Sequence, residues 1–206
     1  MKTIIFFFLT LLPLQLVYAQ ITWGIYAGGS LSDIALVNEP DGIDFFDDNS
    51  QLKPSALVGV YASLPIVTKM KLITALQYSN KGSKTTNPCG STSRINLHYL
   101  SVPVLVRYNL FDRWFIEVGP EIAYLITDRS GNNTLDFYES LDFGINAGLG
   151  YSLSEVWSAK LRYYVGLSSI ITDIQLTDTN GALIDHSLKL QNRFLQLSLA
   201  RQIGSF

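Results

Sequence analysis

NLHYLSVPVLVRYNLFDRWFIEVGPEIAY, residues 96–124, decides the fold. It is two alternating runs joined by a tight turn at Phe111–Arg113. One parity is apolar: His98, Leu100, Val102, Val104, Val106 and Tyr108, then Trp114, Ile116, Val118, Ile122 and Tyr124. The other carries Ser101, Arg107, Asn109, Glu117 and Glu121. A period of two over a dozen residues predicts β-strands, because successive side chains in a strand point to opposite faces. One face is apolar and the other holds charges of both signs.

Working outward, the same pattern recurs in eight runs: Ile21–Ala35, Ser55–Ile66, Met70–Asn80, the two of the opening hairpin, Leu141–Leu153, Trp157–Ile171 and Gln191–Phe206. In the sixth, Leu141, Phe143, Ile145, Ala147, Leu149, Tyr151 and Leu153 alternate with Asp142, Gly144, Asn146, Gly148, Gly150 and Ser152. No helix-period segment of useful length follows residue 20. The connections alternate long and short: polar stretches at Leu36–Lys53, Lys81–Ile95, Thr127–Ser140 and Thr172–Leu190, and brief turns at Val67–Lys69, Phe111–Arg113 and Ser154–Val156. That is the loop pattern of an outer-membrane barrel, with short periplasmic turns and long extracellular loops. The expected architecture is all-β: an eight-stranded antiparallel up-and-down transmembrane β-barrel with both termini on the periplasmic side. Tilted strands of about 9–11 residues suffice to cross a bilayer.

The 206 residues suit one domain; 48% of them are apolar and the net charge is −2, so neither disorder nor nucleic-acid binding is indicated. Residues 1–19 read as a cleaved signal peptide: Lys2, the apolar core Ile4–Leu12, and Val17-Tyr18-Ala19 before Gln20. Pro13 and Gln15 break the run short of the roughly 20 residues a spanning helix needs. The barrel domain is then 20–206.

Alternation alone is symmetric under inversion, and a soluble lipocalin-like barrel would place the same apolar face inward. Three features favour lipid outside. Trp23, Trp114 and Trp157, the only tryptophans, fall on the apolar parity beside a terminus or a short turn, as a membrane-interface girdle would. Arg107 and Glu117 are symmetric about Asp112 and predict a cross-strand pair. With Glu121, Lys160 and Arg162, and with Asp142 on the same face, they form an expected interior charge network, and Gly144, Gly148 and Gly150 leave room beside it. Finally, Phe206 is a terminal aromatic, although Leu195, Leu197, Leu199 and Ile203 lie on the opposite parity and Arg201 interrupts it, which predicts a bulge near the end. Pro103 and Pro120 fall mid-run and nearly opposite each other, predicting a shared bulge or bend.

The runs Tyr99–Asn109 (YLSVPVLVRYN), Phe115–Leu125 (FIEVGPEIAYL) and Leu141–Tyr151 (LDFGINAGLGY) resemble the PorT-like outer-membrane β-barrel proteins of Bacteroidetes. The resemblance implies an eight-stranded outer-membrane barrel, with some relatives active in protein secretion. It brings no catalytic or binding residue.

No chemistry-bearing constellation emerges, so no enzyme activity, cofactor or metal is expected. His98 reads as an interface residue, His186 as a loop residue, and Cys89, the single cysteine, as a loop residue. Glu39, Asp41, Asp44, Asp47 and Asp48 form an acidic first loop whose spacing matches no calcium loop. The expected function is that of a monomeric outer-membrane barrel with a plugged polar interior and a structural, adhesive or assembly role through its loops. The alternatives are porin-like transport or membership of a secretion apparatus. Expected partners are outer-membrane lipid and lipopolysaccharide, the barrel-assembly machinery and secretion-machinery proteins.

Overall fold

The computed structural model describes residues 20–37, 50–86, 92–128, 138–171, 174–177 and 183–205. The signal segment, the acidic loop residues 39–48, Cys89, Asn132 and Phe206 lie outside them. Twelve strands follow in chain order: β1 (Thr22–Val37), β2 (Ser50–Gln51), β3 (Lys53–Val67), β4 (Met70–Lys81), β5 (Lys84–Thr86), β6 (Thr92–Arg94), β7 (Leu97–Asn109), β8 (Trp114–Asp128), β9 (Leu141–Ser152), β10 (Trp157–Gly166), β11 (Ile174–Thr177) and β12 (Leu183–Ser205). The eight long ones pair antiparallel with their neighbours, and β12 returns to β1, closing the sheet and removing its edges.

The register fixes the barrel's girth. From Thr22 the ladder steps through Ser63 and Ile73 to Leu105, crosses to Gly119 on the register that holds on either side of a gap in the β7–β8 ladder, and continues through Asn146, Tyr164 and Phe194 back to β1 at Ser32, a stagger of about ten residues. An eight-stranded barrel has an interior only wide enough for side chains. Five glycines admit the largest of them. A Cβ on Gly24 would strike the Tyr61 ring, and one on Gly59 or Gly144 the rings of Tyr26 and Tyr164. Gly150 lies against Phe115 and Gly148 against Arg162 in the same way.

Burial follows the parity of two all the way round and resolves the inversion. Leu141, Phe143, Ile145 and Leu149 of β9 are exposed, while Asp142 and Asn146 between them are buried. Val58, Val60, Leu76, Val102, Val118, Ile122, Leu161 and Leu197 also face outward. A soluble barrel would hide these apolar side chains; this one presents them as a continuous belt, which is stable in lipid.

Three expectations need correction. Pro103 and Pro120 do not bulge the hairpin: β7 and β8 keep one register from Tyr99↔Leu125 to Asn109↔Phe115. The ladder lapses locally, since neither Ala75 and Leu76 with β7 nor Val104 and Leu105 with β8 form pairs, but both strands continue in the same register. A missing donor costs one hydrogen bond, and closure on both sides holds the register across it. The shifts lie elsewhere, at Pro65/Val67, His98/Tyr99 and Gln175/Leu176, and where Trp23↔Gly204 passes to Gly24↔Gln202 near the end of β12. Second, the polar stretches are not bare loops. β2, β5 and β6 form a three-stranded sheet of their own, and β11 pairs with an extended β12, whose span includes His186. Third, Lys81 belongs to the wall as the last residue of β4, not to a loop. Gly82, with φ of 126°, turns the chain out immediately after it.

The charged interior as candidate functional site

Interior side chains are stacked in layers. Nearest the short turns, Arg107 donates to Glu117 Oε1 from Nε at 2.9 Å and Nη2 at 2.6 Å. Its guanidinium also lies 3.9 Å from the centre of the Phe115 ring. Arg162 Nε donates to the other oxygen of Glu117 at 2.8 Å. Glu117 therefore bridges two arginines from two different strands, with 3% of its surface exposed. Lys160 is equally buried but donates no hydrogen bond; its ammonium sits 4.8 Å and 5.2 Å from the centres of the Tyr61 and Tyr26 rings. The negative faces of those rings stabilise a desolvated cation.

A second layer is organised on Lys81. Its ammonium lies 3.3 Å from Glu121 Oε1 and 3.1 Å from Asp142 Oδ2. The rings of Tyr164, Phe194 and Tyr99 surround it at 4.1, 4.7 and 4.9 Å. Asn146 donates to Glu121 at 2.9 Å and Asn192 to Asp142 at 2.9 Å, which occupies further carboxylate lone pairs. A buried ion pair gains over its desolvation cost only when such extra bonds complete it.

Above this layer the interior turns apolar. Leu97, Tyr99, Ala123, Leu125, Ile170 and Leu190 pack into one buried cluster, with Ile34, Ile95, Tyr138 and Ile171 against it. It caps the loop end of the lumen. The plugged polar interior expected from the sequence is thus a pair of ionic layers, with a smaller apolar cluster of Tyr26, Leu57, Ala75 and Ala200 among them and the apolar stopper above.

The five residues expected to form one network fall into two. Arg107, Glu117 and Arg162 are bonded together with Lys160 alongside, whereas Glu121 bonds to the Lys81 layer. Lys81, Lys53 and the aromatic cage went unread. Lys53 donates to Asn80 Oδ1 at 2.6 Å and to the Lys81 carbonyl at 2.8 Å. The signal for Lys81 was present: it continues the interior parity of Ile73, Ala75, Gln77 and Ser79. Outside, Trp23, Trp114 and Trp157 are all exposed on the wall at its short-turn end. Trp114 stacks edge-on with Tyr151 at 4.8 Å. His98 also faces out, bonded to the Tyr78 hydroxyl at 2.6 Å. Among the described residues, no group of His, Cys, Asp and Glu could hold a metal ion.

A closed wall that is apolar outside and filled with paired charges inside defines a small integral membrane β-barrel. Residues 17–172 match the family described as outer membrane protein beta-barrel domain, and the chain belongs to it. Neisserial surface protein A is a structural neighbour, with a TM-score of 0.52 at 9% identity, over 88% of this chain and 97% of that one. OprG of Pseudomonas aeruginosa (TM-score 0.46, 13% identity, 90% and 95% covered) and Ail of Yersinia pestis (TM-score 0.47, 12% identity, 88% and 98% covered) are further similar structures. No curated protein matches the sequence. The protein is an outer-membrane barrel.

Proposed function

We propose that this barrel is a closed membrane anchor that conducts no solute and acts through its loops, in a structural, adhesive or assembly role at the cell surface. The observation that carries this reading is the filled lumen: two ionic layers under the Leu97–Leu190 apolar stopper. A transport path along the axis would have to break the salt bridges of Glu117 and Lys81 and then displace that stopper. The test is planar-bilayer recording of the refolded protein. Silence at voltages where a porin opens is expected, and stable large single-channel steps would overturn the closed barrel.

The same reading takes residues 1–19 as a cleaved signal, puts the short turns and both termini on the periplasmic side, and makes Trp23, Trp114 and Trp157 the interface girdle there. Insertion then proceeds through the barrel-assembly machinery into a membrane of phospholipid and lipopolysaccharide. Protease shaving of intact cells tests the orientation: cleavage in the long connections is expected, and cleavage at Phe111–Arg113 would reverse it. The runs that resemble PorT-like proteins support a narrower second reading, a component of a secretion apparatus. A stoichiometric partner recovered with the barrel from intact outer membranes is its test.

A further inference from the structure

Arg201 is the residue the barrel does not explain. It stands on the outward parity of β12 between Leu199 and Ile203, both exposed to the membrane. A cation on the lipid face is costly at mid-bilayer and costs little at the interface. Among the described residues it forms no salt bridge; its guanidinium lies 5.5 Å from the centre of the Trp157 ring.

The wall beside it is not smooth. Two rows of outward residues run across the strands in register. One is Trp157↔Arg201↔Ile25↔Val60↔Leu76. The other is Leu199↔Ala27↔Val58↔Tyr78↔Leu100. Between them lies an apolar trough of about 840 Å³. It exists because β1 turns small where its neighbours stay large: Ala27 and then Gly29 occupy outward positions between Ile25 and Leu31. Rows are crossed at about 4.8 Å per strand, so five strands give a trough of roughly 20 Å. Because the strands tilt, the trough climbs obliquely from the tryptophan rim toward the bilayer interior.

We propose that this trough is a binding site for one glycerophospholipid, with the phosphate on Arg201 and one acyl chain lying between the two rows. The charge complementarity is direct: the single cation on this stretch of lipid face sits at the rim end of the trough, where a headgroup phosphate lies, and the rest of the lining is apolar. Guanidinium to phosphate is a strong charge-assisted contact, and the Trp157 indole packs beside it at interface depth. The inference rests on the membrane assignment but not on the closed lumen or on loop function, so it stands or falls apart from them.

The test is native mass spectrometry of the full chain extracted from its outer membrane in mild detergent, with gel mobility before and after heating to confirm folding. The wild type should retain one phospholipid per barrel. Arg201→Gln should lower the retained fraction at least five-fold, and Ala27→Leu, which fills the trough, should do the same. Ile145→Val, on the outward face of β9, should retain it as the wild type does. Equal retention in wild type, R201Q and A27L would overturn the site, as would retention of lipid A instead of phospholipid, or a dimer in place of a lipid adduct. Where R201Q fails to fold, A27L carries the comparison. Where both fail, soaking the wild type with diacylglycerol against phosphatidylglycerol decides it: equal uptake of the phosphate-free lipid overturns the role of Arg201.

Discussion

Replacing Glu117 with Gln should destabilise the barrel far more than removing Arg107, the more exposed of the two arginines that touch it. Glu117 is the one carboxylate bonded in a layer that holds Arg107, Arg162 and Lys160. It accepts at 2.6 and 2.9 Å from Arg107 and at 2.8 Å from Arg162. Glu117→Gln keeps the shape and one acceptor oxygen but strands two guanidinium groups beside a buried ammonium. Breaking a buried pair by deleting one partner costs about 3–5 kcal/mol, mostly from the charge left behind. Arg107→Gln differs, because Glu117 keeps Arg162 and the Arg107 side chain is 13% exposed. Its loss should cost about 1 kcal/mol. Lys160→Met should be neutral or stabilising, since it removes a buried cation that no hydrogen bond satisfies. The assay is urea unfolding of the barrel in lipid vesicles, followed by tryptophan emission, with the three tryptophans on the outer wall reporting transfer from lipid to water. The expected order of destabilisation is E117Q, then R107Q, then K160M. If E117Q fell within about 1 kcal/mol of wild type, or R107Q matched it, the bridging role of Glu117 would be wrong.

The other layer and the wall make predictions of their own. Lys81→Met leaves Glu121 and Asp142 facing each other in the lumen without their cation, so the same titration should show a loss of about 3 kcal/mol or more. Gly59→Val places a side chain on the Tyr26 ring; overpacking of this kind costs about 1–3 kcal/mol and should lower the fraction that resists unfolding on an unheated gel. Ile145→Arg puts a charge on the lipid face of β9 and should reduce insertion by about 2–4 kcal/mol, measured as partition between folded and unfolded forms in vesicles. Ser101→Ala, on the lumen face of β7 where the buried hydroxyl makes no hydrogen bond, should leave insertion nearly unchanged, and equal loss in both variants would contradict the assigned faces.

Some of this was legible in the chain and some was not, for physical reasons. The strands, their even number and the alternation of long and short connections follow from a period of two, which any half-buried strand must carry. The facing of Arg107 and Glu117 follows from a hairpin centred on Asp112, because a tight turn fixes the register of its two strands. The ladder does fail beside Pro103 and Pro120, but no bulge forms, because a strand held on both sides keeps its register across a missing donor that would disrupt an open edge.

By itself, the sequence determined the strands, which residues share a face, and, through its charges and tryptophans, which face meets lipid. Tertiary structure alone decided which interior residues meet. Arg162 reaches Glu117 and Lys81 reaches Asp142 only after closure, across 45 and 61 residues of chain. Alternation is unchanged when a strand slips by two residues, so it cannot encode the stagger that brings them to one level. That stagger is set by β12 closing on β1, and with it come the layering of the lumen, the apolar stopper and the oblique trough that ends at Arg201.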